Sequence, residues 1–164
     1  MNKKEMTEQE AYLRLATLCA QAEHCRQEMF EKMRRWAVDE AAQDSIIKRL
    51  VEERYVDDTR YARAFVRDKI RYNKWGRRKV QQALWQKHID QEIQQQVLDE
   101  IDEKEYLEVL CPLLKQKRKS TKAANDYEMN QKLMRFALGR GFTFDIIRQC
   151  LDVDEEMVID DETD

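Results

Sequence analysis

The stretch Arg60–Asp90, RYARAFVRDKIRYNKWGRRKVQQALWQKHID, holds most of one folding unit. It opens on Tyr61, with Ala64 and Phe65 three and four residues further on, a spacing that gathers apolar side chains on one helix face. Trp75-Gly76 reads as a turn, and Val80 and Leu84 mark the apolar side of a second helix. His88-Ile89-Asp90 ends that helix with an apolar residue followed by an Asp. The Asp carboxylate can accept from the first amides of a new helix, so the triplet stops one helix and starts another. Ile93, Val97 and Leu98 then supply a third apolar stripe.

The same pattern occurs twice more. Upstream, Tyr12, Leu15, Ala16 and Cys19 form the first stripe, Met29 and Met33 the second, Ala37-Val38-Asp39 the joint, and Ala42, Ile46 and Ile47 the third. Downstream the sets are Tyr106, Val109, Leu110, Leu113 and Leu114; Leu133 and Ala137; Gly141-Phe142-Thr143; and Ile146, Cys150 and Leu151. Met33 to Leu84 is 51 residues and Leu84 to Ala137 is 53. The pattern predicts an all-α fold of three tandem three-helix repeats forming an elongated, curved array. Repeat 1 occupies residues 1–56, repeat 2 residues 57–101 and repeat 3 residues 102–152, with an acidic tail at 153–164 expected to be disordered. Each unit is too small to bury much core alone, so neighbours should lean on one another. Thr7 with Glu10 and Asp102 with Glu105 read as capping boxes, and Asp57 or Asp58 can cap the middle repeat.

Repeat 3 is longer. Its opening tyrosine stands 31 residues before the matched second-helix position, against 21 and 23 in the other two. The extra residues fall at Lys115–Asp126, KQKRKSTKAAND, either as a longer basic helix or as a basic loop.

One Pro and three Gly in 164 residues leave few helix breakers, and 38% charged residues favour thin cores under solvated helix faces. No apolar run approaches the 18 residues of a membrane span, and the opening MNKKEMTEQEAY lacks a signal-peptide core; a cytoplasmic protein is expected. Cys19, Cys25, Cys111 and Cys150 form no CxxC pair, so they are expected to be reduced thiols that pack as small hydrophobes. His24 and His88 stand far apart. The chain has no HExxH, no phosphate-cradling Gly-rich loop and no nucleophile elbow. The expectation is a non-enzyme without metal or cofactor.

Charge is segregated. Residues 152–164 carry eight acids and no base, so the chain's net −3 becomes +5 once they are set aside. The bases concentrate in Arg60–Lys79, where Asp68 is the one acid among nine bases. Arg60, Arg63, Arg67, Arg71 and Lys74 step by three or four and share a helix face, where like charges repel. Arg77, Arg78 and Lys79 fall in the first turn of the next helix, where the dipole disfavours cations and a bound phosphate would relieve the conflict. Lys115, Lys117, Arg118 and Lys119 add a second cluster. These twelve residues are the candidate contacts for a polyanion or acidic partner; the alternative is a solvated basic face. Tyr72 and Trp75 are interleaved among these bases, and Trp75 is either a packed anchor or a stacking platform. The acidic tail could compete for the basic surface.

Tyr55-Val56-Asp57-Asp58-Thr59-Arg60-Tyr61-Ala62-Arg63-Ala64-Phe65-Val66, with Lys74-Trp75-Gly76-Arg77-Arg78-Lys79-Val80 and Leu84-Trp85-Gln86-Lys87-His88-Ile89-Asp90, resembles the RecX family of bacterial regulators of the RecA recombinase. Leu133–Thr143 is a second match, and the similarity spans roughly residues 8–152. The family often has Gly where this chain has Lys74 and His88, both at turns where Gly is conformationally preferred. A monomer is expected, and the resemblance implies a three-repeat helical modulator that lodges in the groove of a RecA filament on DNA. It would inhibit ATP hydrolysis, strand exchange and the SOS-linked coprotease activity. The residues alone leave two other readings open. One is a module that binds single- or double-stranded DNA directly, and the other is a helical scaffold for some other protein partner.

Overall fold

A computed structural model of the protein describes residues 6–151. Among these there are nine α-helices and no strand. They are α1 (Glu8–Gln21), α2 (Arg26–Arg35), α3 (Glu40–Glu52), α4 (Asp58–Arg71), α5 (Arg77–Gln86), α6 (Gln91–Asp99), α7 (Glu103–Ser120), α8 (Asp126–Gly139) and α9 (Phe144–Cys150). The expected all-α fold of three-helix repeats is what the chain forms. The acidic tail lies outside the described residues.

The joints explain why the repeat is visible in the sequence. Ala37, His88 and Gly141 each have positive φ (55°, 56° and 90°) at the end of a second helix. In each case this residue's N–H donates three residues back: Ala37 to Arg34 O (3.1 Å), His88 to Trp85 O (3.0 Å), Gly141 to Leu138 O (2.9 Å). The next N–H reaches five back, from Val38 to Met33 O, Ile89 to Leu84 O and Phe142 to Ala137 O. This is a Schellman closure, and the apolar residue of each triplet is its buried hydrophobic plug. The Asp or Thr plays a smaller part than expected, for Asp39 and Thr143 make no side-chain cap bond. In two joints a buried glutamine does the bonding: Gln43 Nε2 donates to Val38 O and Gln94 Nε2 to Ile89 O, both at 2.8 Å. The matching position of the third joint is the buried Ile147.

The described residues divide into two compact units, residues 6–65 with 84–97 and residues 66–83 with 98–151. The middle repeat is thus shared between them. In the first unit, α1 and α2 pack on α3 around Tyr12, Leu15, Met29, Met33, Ile46 and Leu50. Thr7 caps α1 by accepting from Glu10 N (3.1 Å). The two candidate caps at Asp57 and Asp58 divide their labour. Asp57 accepts from Arg60 N within α4 (3.1 Å), while Asp58 reaches back to Arg26 N at the start of α2 (2.9 Å).

In the second unit, α7 packs on α9 and α8 around Leu110, Leu114, Leu133, Met134 and Phe142. The long repeat-3 segment resolves mainly as helix: α7 continues to Ser120, and Asn125 caps α8 by accepting from Glu128 N (2.8 Å). Asp102, read as a capping box with Glu105, makes no side-chain cap bond.

Three further readings are corrected. On α4 the buried set is Tyr61, Ala62, Val66 and Ile70, with Ala64 exposed, because the helix is rolled so that Ala62 faces inward. Lys74 does not continue the α4 face, since the helix ends at Arg71 and Lys74 takes φ 56° in the following turn. The four cysteines are not all thiols: Cys111 and Cys150 are disulfide-bonded, tying α7 to α9. Cys19 and Cys25 are free, and burial pushes the Cys25 thiol up to about 11, which keeps it protonated and unreactive.

Candidate polyanion interface

The most basic part of the second unit is built on a backbone clasp. The turn between α4 and α5 lies against the joint between α8 and α9. Gly76 N donates to Arg140 O (2.8 Å) and Arg78 N to Gly141 O (3.0 Å). The Arg140 guanidinium returns the contact, donating from Nη1 to Asn73 O (3.0 Å). The chains approach so closely that a Cβ on Gly76 would stand 2.3 Å from Phe142 N, and one on Gly141 2.4 Å from Lys79 Cβ. Both glycines are therefore required by a contact between distant parts of the chain, and Gly141 also by its φ of 90°.

The clasp changes the reading of the α5 N-terminus. Two of the amides that could have met a phosphate already donate to carbonyls of the α8–α9 joint. The first-turn cations are also separated. Arg77 donates from Nη2 to Asp99 Oδ1 (2.9 Å), and Lys79 lies 4.8 Å from the centre of the Trp75 ring. Lys69 approaches the same ring at 5.2 Å. Trp75 is half-buried with two ammonium groups close to its ring, so it serves as a packed anchor with cation–π partners. Arg78 is exposed. The conflict between dipole and charge is met mainly by Asp99 and Trp75.

The remaining candidates are distributed. Arg67 and Arg71 are exposed and line a small cleft whose other wall carries Glu105 and Glu108, which moderates their field. Lys74 is exposed at the apex of the turn. On the last turns of α7, Lys115, Lys117, Arg118 and Lys119 are exposed, where cations complement the helix dipole. Lys117 lies 5.0 Å from the Phe136 ring, and Arg118 donates to Asn130 Oδ1 (3.1 Å).

Arg60 and Arg63 belong to the first unit. Arg60 is engaged in its own fold: Nε donates to Glu23 (2.6 Å) and Nη2 to the carbonyls of Arg54 and Tyr55. Arg63 is half-buried. Tyr72, which the sequence interleaves with the bases without marking it as a contact, is 74% exposed; it stands just past the end of α4, off the apolar stripe.

Among the described residues no group of three or more His, Cys, Asp or Glu side chains could hold a metal ion, and no helix is long and apolar enough to cross a membrane. Fold and surface together define a small helical protein whose conspicuous surface chemistry is a rigid, cation-rich turn.

Comparison with known proteins agrees with the helical fold. A family model described as "RecX, second three-helix domain" matches residues 57–98, and "RecX, third three-helix domain" matches residues 103–151. The chain belongs to the RecX family. "Regulatory protein RecX" of Acinetobacter baylyi is 31% identical over 139 residues, covering 85% of this chain and 84% of the relative. That of Vibrio parahaemolyticus is 30% identical over 139 residues, covering 85% and 88%. The relative from Bacillus cytotoxicus is 27% identical over 144 residues, covering 88% of this chain and 53% of the relative, so the chain spans about half the length of that longer form. The crystal structure of RecX from Lactobacillus salivarius superposes with TM-score 0.76 at 21% identity, covering 96% of this chain and 97% of that one, a likeness of fold.

Proposed function

We propose that the protein binds the RecA filament on DNA and restrains RecA's ATPase, recombinase and coprotease activities, acting in DNA repair and the SOS response. It works by binding rather than catalysis, as a cytoplasmic monomer without cofactor. The family membership supports the choice of partner. The observation that carries the reading on this chain is the clasped basic turn. Arg71, Lys74 and Arg78 are exposed around a backbone held by three hydrogen bonds to Arg140 and Gly141, so the cations are presented to a polyanion with little further ordering. The exposed bases at the end of α7 extend the same chemistry within that unit.

The test is a titration of RecA ATPase on single-stranded DNA. The chain should lower turnover at substoichiometric amounts, and reversal of Arg67, Arg71 and Arg78 to Glu should weaken the effect while leaving the helical circular-dichroism signal unchanged. Arg77→Glu should also weaken it, but there the cause is mixed, because the new carboxylate would face Asp99. RecA turnover unaffected at saturating protein would overturn the proposal.

A further inference from the structure

We infer that the α4–α5 turn grips single-stranded nucleic acid, with Tyr72 stacking on an unpaired base while Arg71, Lys74 and Arg78 hold the adjoining phosphates. The inference rests on the proposed action at a RecA–DNA filament and names the ligand of its most basic turn.

Tyr72 is 74% exposed, more than any other large hydrophobic side chain among the described residues. An aromatic ring in that position adds little to the fold, since its area is left in water. Its sequence neighbours Arg71, Asn73 and Lys74 are all exposed as well. Trp75, two residues beyond Asn73, behaves in the opposite way: it is half-buried, with Lys69 and Lys79 close to its ring. The turn thus carries two aromatics with separate tasks: one anchors the backbone and the other is presented to solvent.

The backbone that presents Tyr72 is fixed on both sides. Tyr72 N donates to Asp68 O (2.8 Å), Trp75 N to Lys69 O (3.1 Å), and Asn73 O accepts from Arg140 (3.0 Å). Lys74 is held at φ 56°, a conformation that a non-glycine residue keeps only where its surroundings enforce it. A ring on a rigid turn loses little entropy when a ligand meets it.

The surrounding charge selects a polyanion, and the ring selects which kind. In a duplex the base faces are covered by their neighbours, so an exposed tyrosine gains nothing from them. In a single strand every base offers a free π-face, and stacking on an aromatic side chain adds to the phosphate contacts. The predicted preference is therefore for single strands, independent of base sequence.

The experiment measures binding of the full chain to an end-labelled oligothymidylate and to a duplex of equal length by fluorescence anisotropy, across a salt series. Tyr72→Ala should weaken binding to the single strand by roughly 10- to 100-fold, the effect of losing one stacked base, and change duplex binding by less than about twofold. Tyr72→Phe should retain single-strand affinity, because the ring and not the hydroxyl makes the contact. Lys74→Gln should lower the salt slope by about 0.7, the value for one phosphate contact on a single strand, whereas Tyr72→Ala should leave that slope unchanged. The thermal midpoint of each variant should match the wild type, as the side chains are exposed. An equal loss on duplex and single strand, or a Tyr72→Phe variant as weak as the alanine, would overturn the inference. So would unchanged binding by Tyr72→Ala accompanied by loss of binding to DNA-free RecA, which would make the turn a protein contact. The RecA ATPase titration separates the two proposals. Inhibition by the wild type without a Tyr72-dependent single-strand preference sinks this inference alone, and a Tyr72-dependent preference without inhibition sinks the filament reading alone.

Discussion

Replacing Gly76 by alanine tests whether the clasp exists in solution. The new methyl carbon would lie 2.3 Å from Phe142 N, 2.4 Å from Phe142 Cα and 2.5 Å from Gly141 C. All three are backbone atoms, so no side-chain rotation relieves the overlap. The turn and the α8–α9 joint must separate. Separation lengthens or breaks Gly76 N to Arg140 O and Arg78 N to Gly141 O, each worth about 1 kcal/mol net. It also uncovers part of Phe142, which is 1% exposed in the intact fold and whose full burial is worth about 2–3 kcal/mol. The expected loss is about 2–4 kcal/mol. Gly139→Ala is the control. A methyl group there would have nothing within 4 Å, and the residue sits at the end of α8, so the change should be neutral or stabilising by up to about 1 kcal/mol. Urea unfolding followed by tryptophan fluorescence separates the two. With a slope of about 2 kcal/mol per molar urea, Gly76→Ala should lower the midpoint by roughly 1–2 M while Gly139→Ala does not. A Gly76→Ala midpoint within about 0.3 M of the wild type would refute the clasp, and with it the rigidity assigned to the basic turn.

Three further outcomes can be checked. Reducing Cys111–Cys150 opens a link between residues 39 apart, and loop-closure entropy then predicts a loss of roughly 4 kcal/mol; a thermal midpoint indifferent to reductant, with thiol titration confirming that reduction occurred, would count against the link. Burial raises the phenols of Tyr61 and Tyr106 above the ordinary 10.0, Tyr106 to about 12. Since the unfolded chain then gives up those protons first, the stability they lend is complete below pH 10 and should fall as pH rises from there toward 12; absorbance titration at 295 nm showing both phenols ionising at the ordinary value in the folded state would contradict this. Deleting residues 153–164 removes seven acids and no base, so it should raise affinity for oligothymidylate at low salt and matter less at high salt; unchanged or weaker binding would refute the idea that the tail competes for the basic surface.

The sequence by itself determined the helices, their three-fold recurrence and the joints between them. A Schellman closure is completed among close neighbours in the chain, so Ala37-Val38, His88-Ile89 and Gly141-Phe142 carry the whole instruction locally. Helix α7 could be read only to a choice between helix and loop, because helix-forming bases such as Lys117, Arg118 and Lys119 are also common loop residues. The basic residues of the middle repeat were equally plain, since charge needs no partner to be counted. Tertiary structure decided what those residues do. It assigned Asp58 to the amide of Arg26, Arg77 to Asp99, and Arg60 to Glu23. It paired two cysteines that share no local motif. It also turned Trp75 inward and left Tyr72 in water. The reason is distance along the chain. A helix or a cap is settled among neighbours, whereas the clasp at Gly76 requires Gly141 to arrive from 65 residues away, and only the folded chain brings two backbones that close.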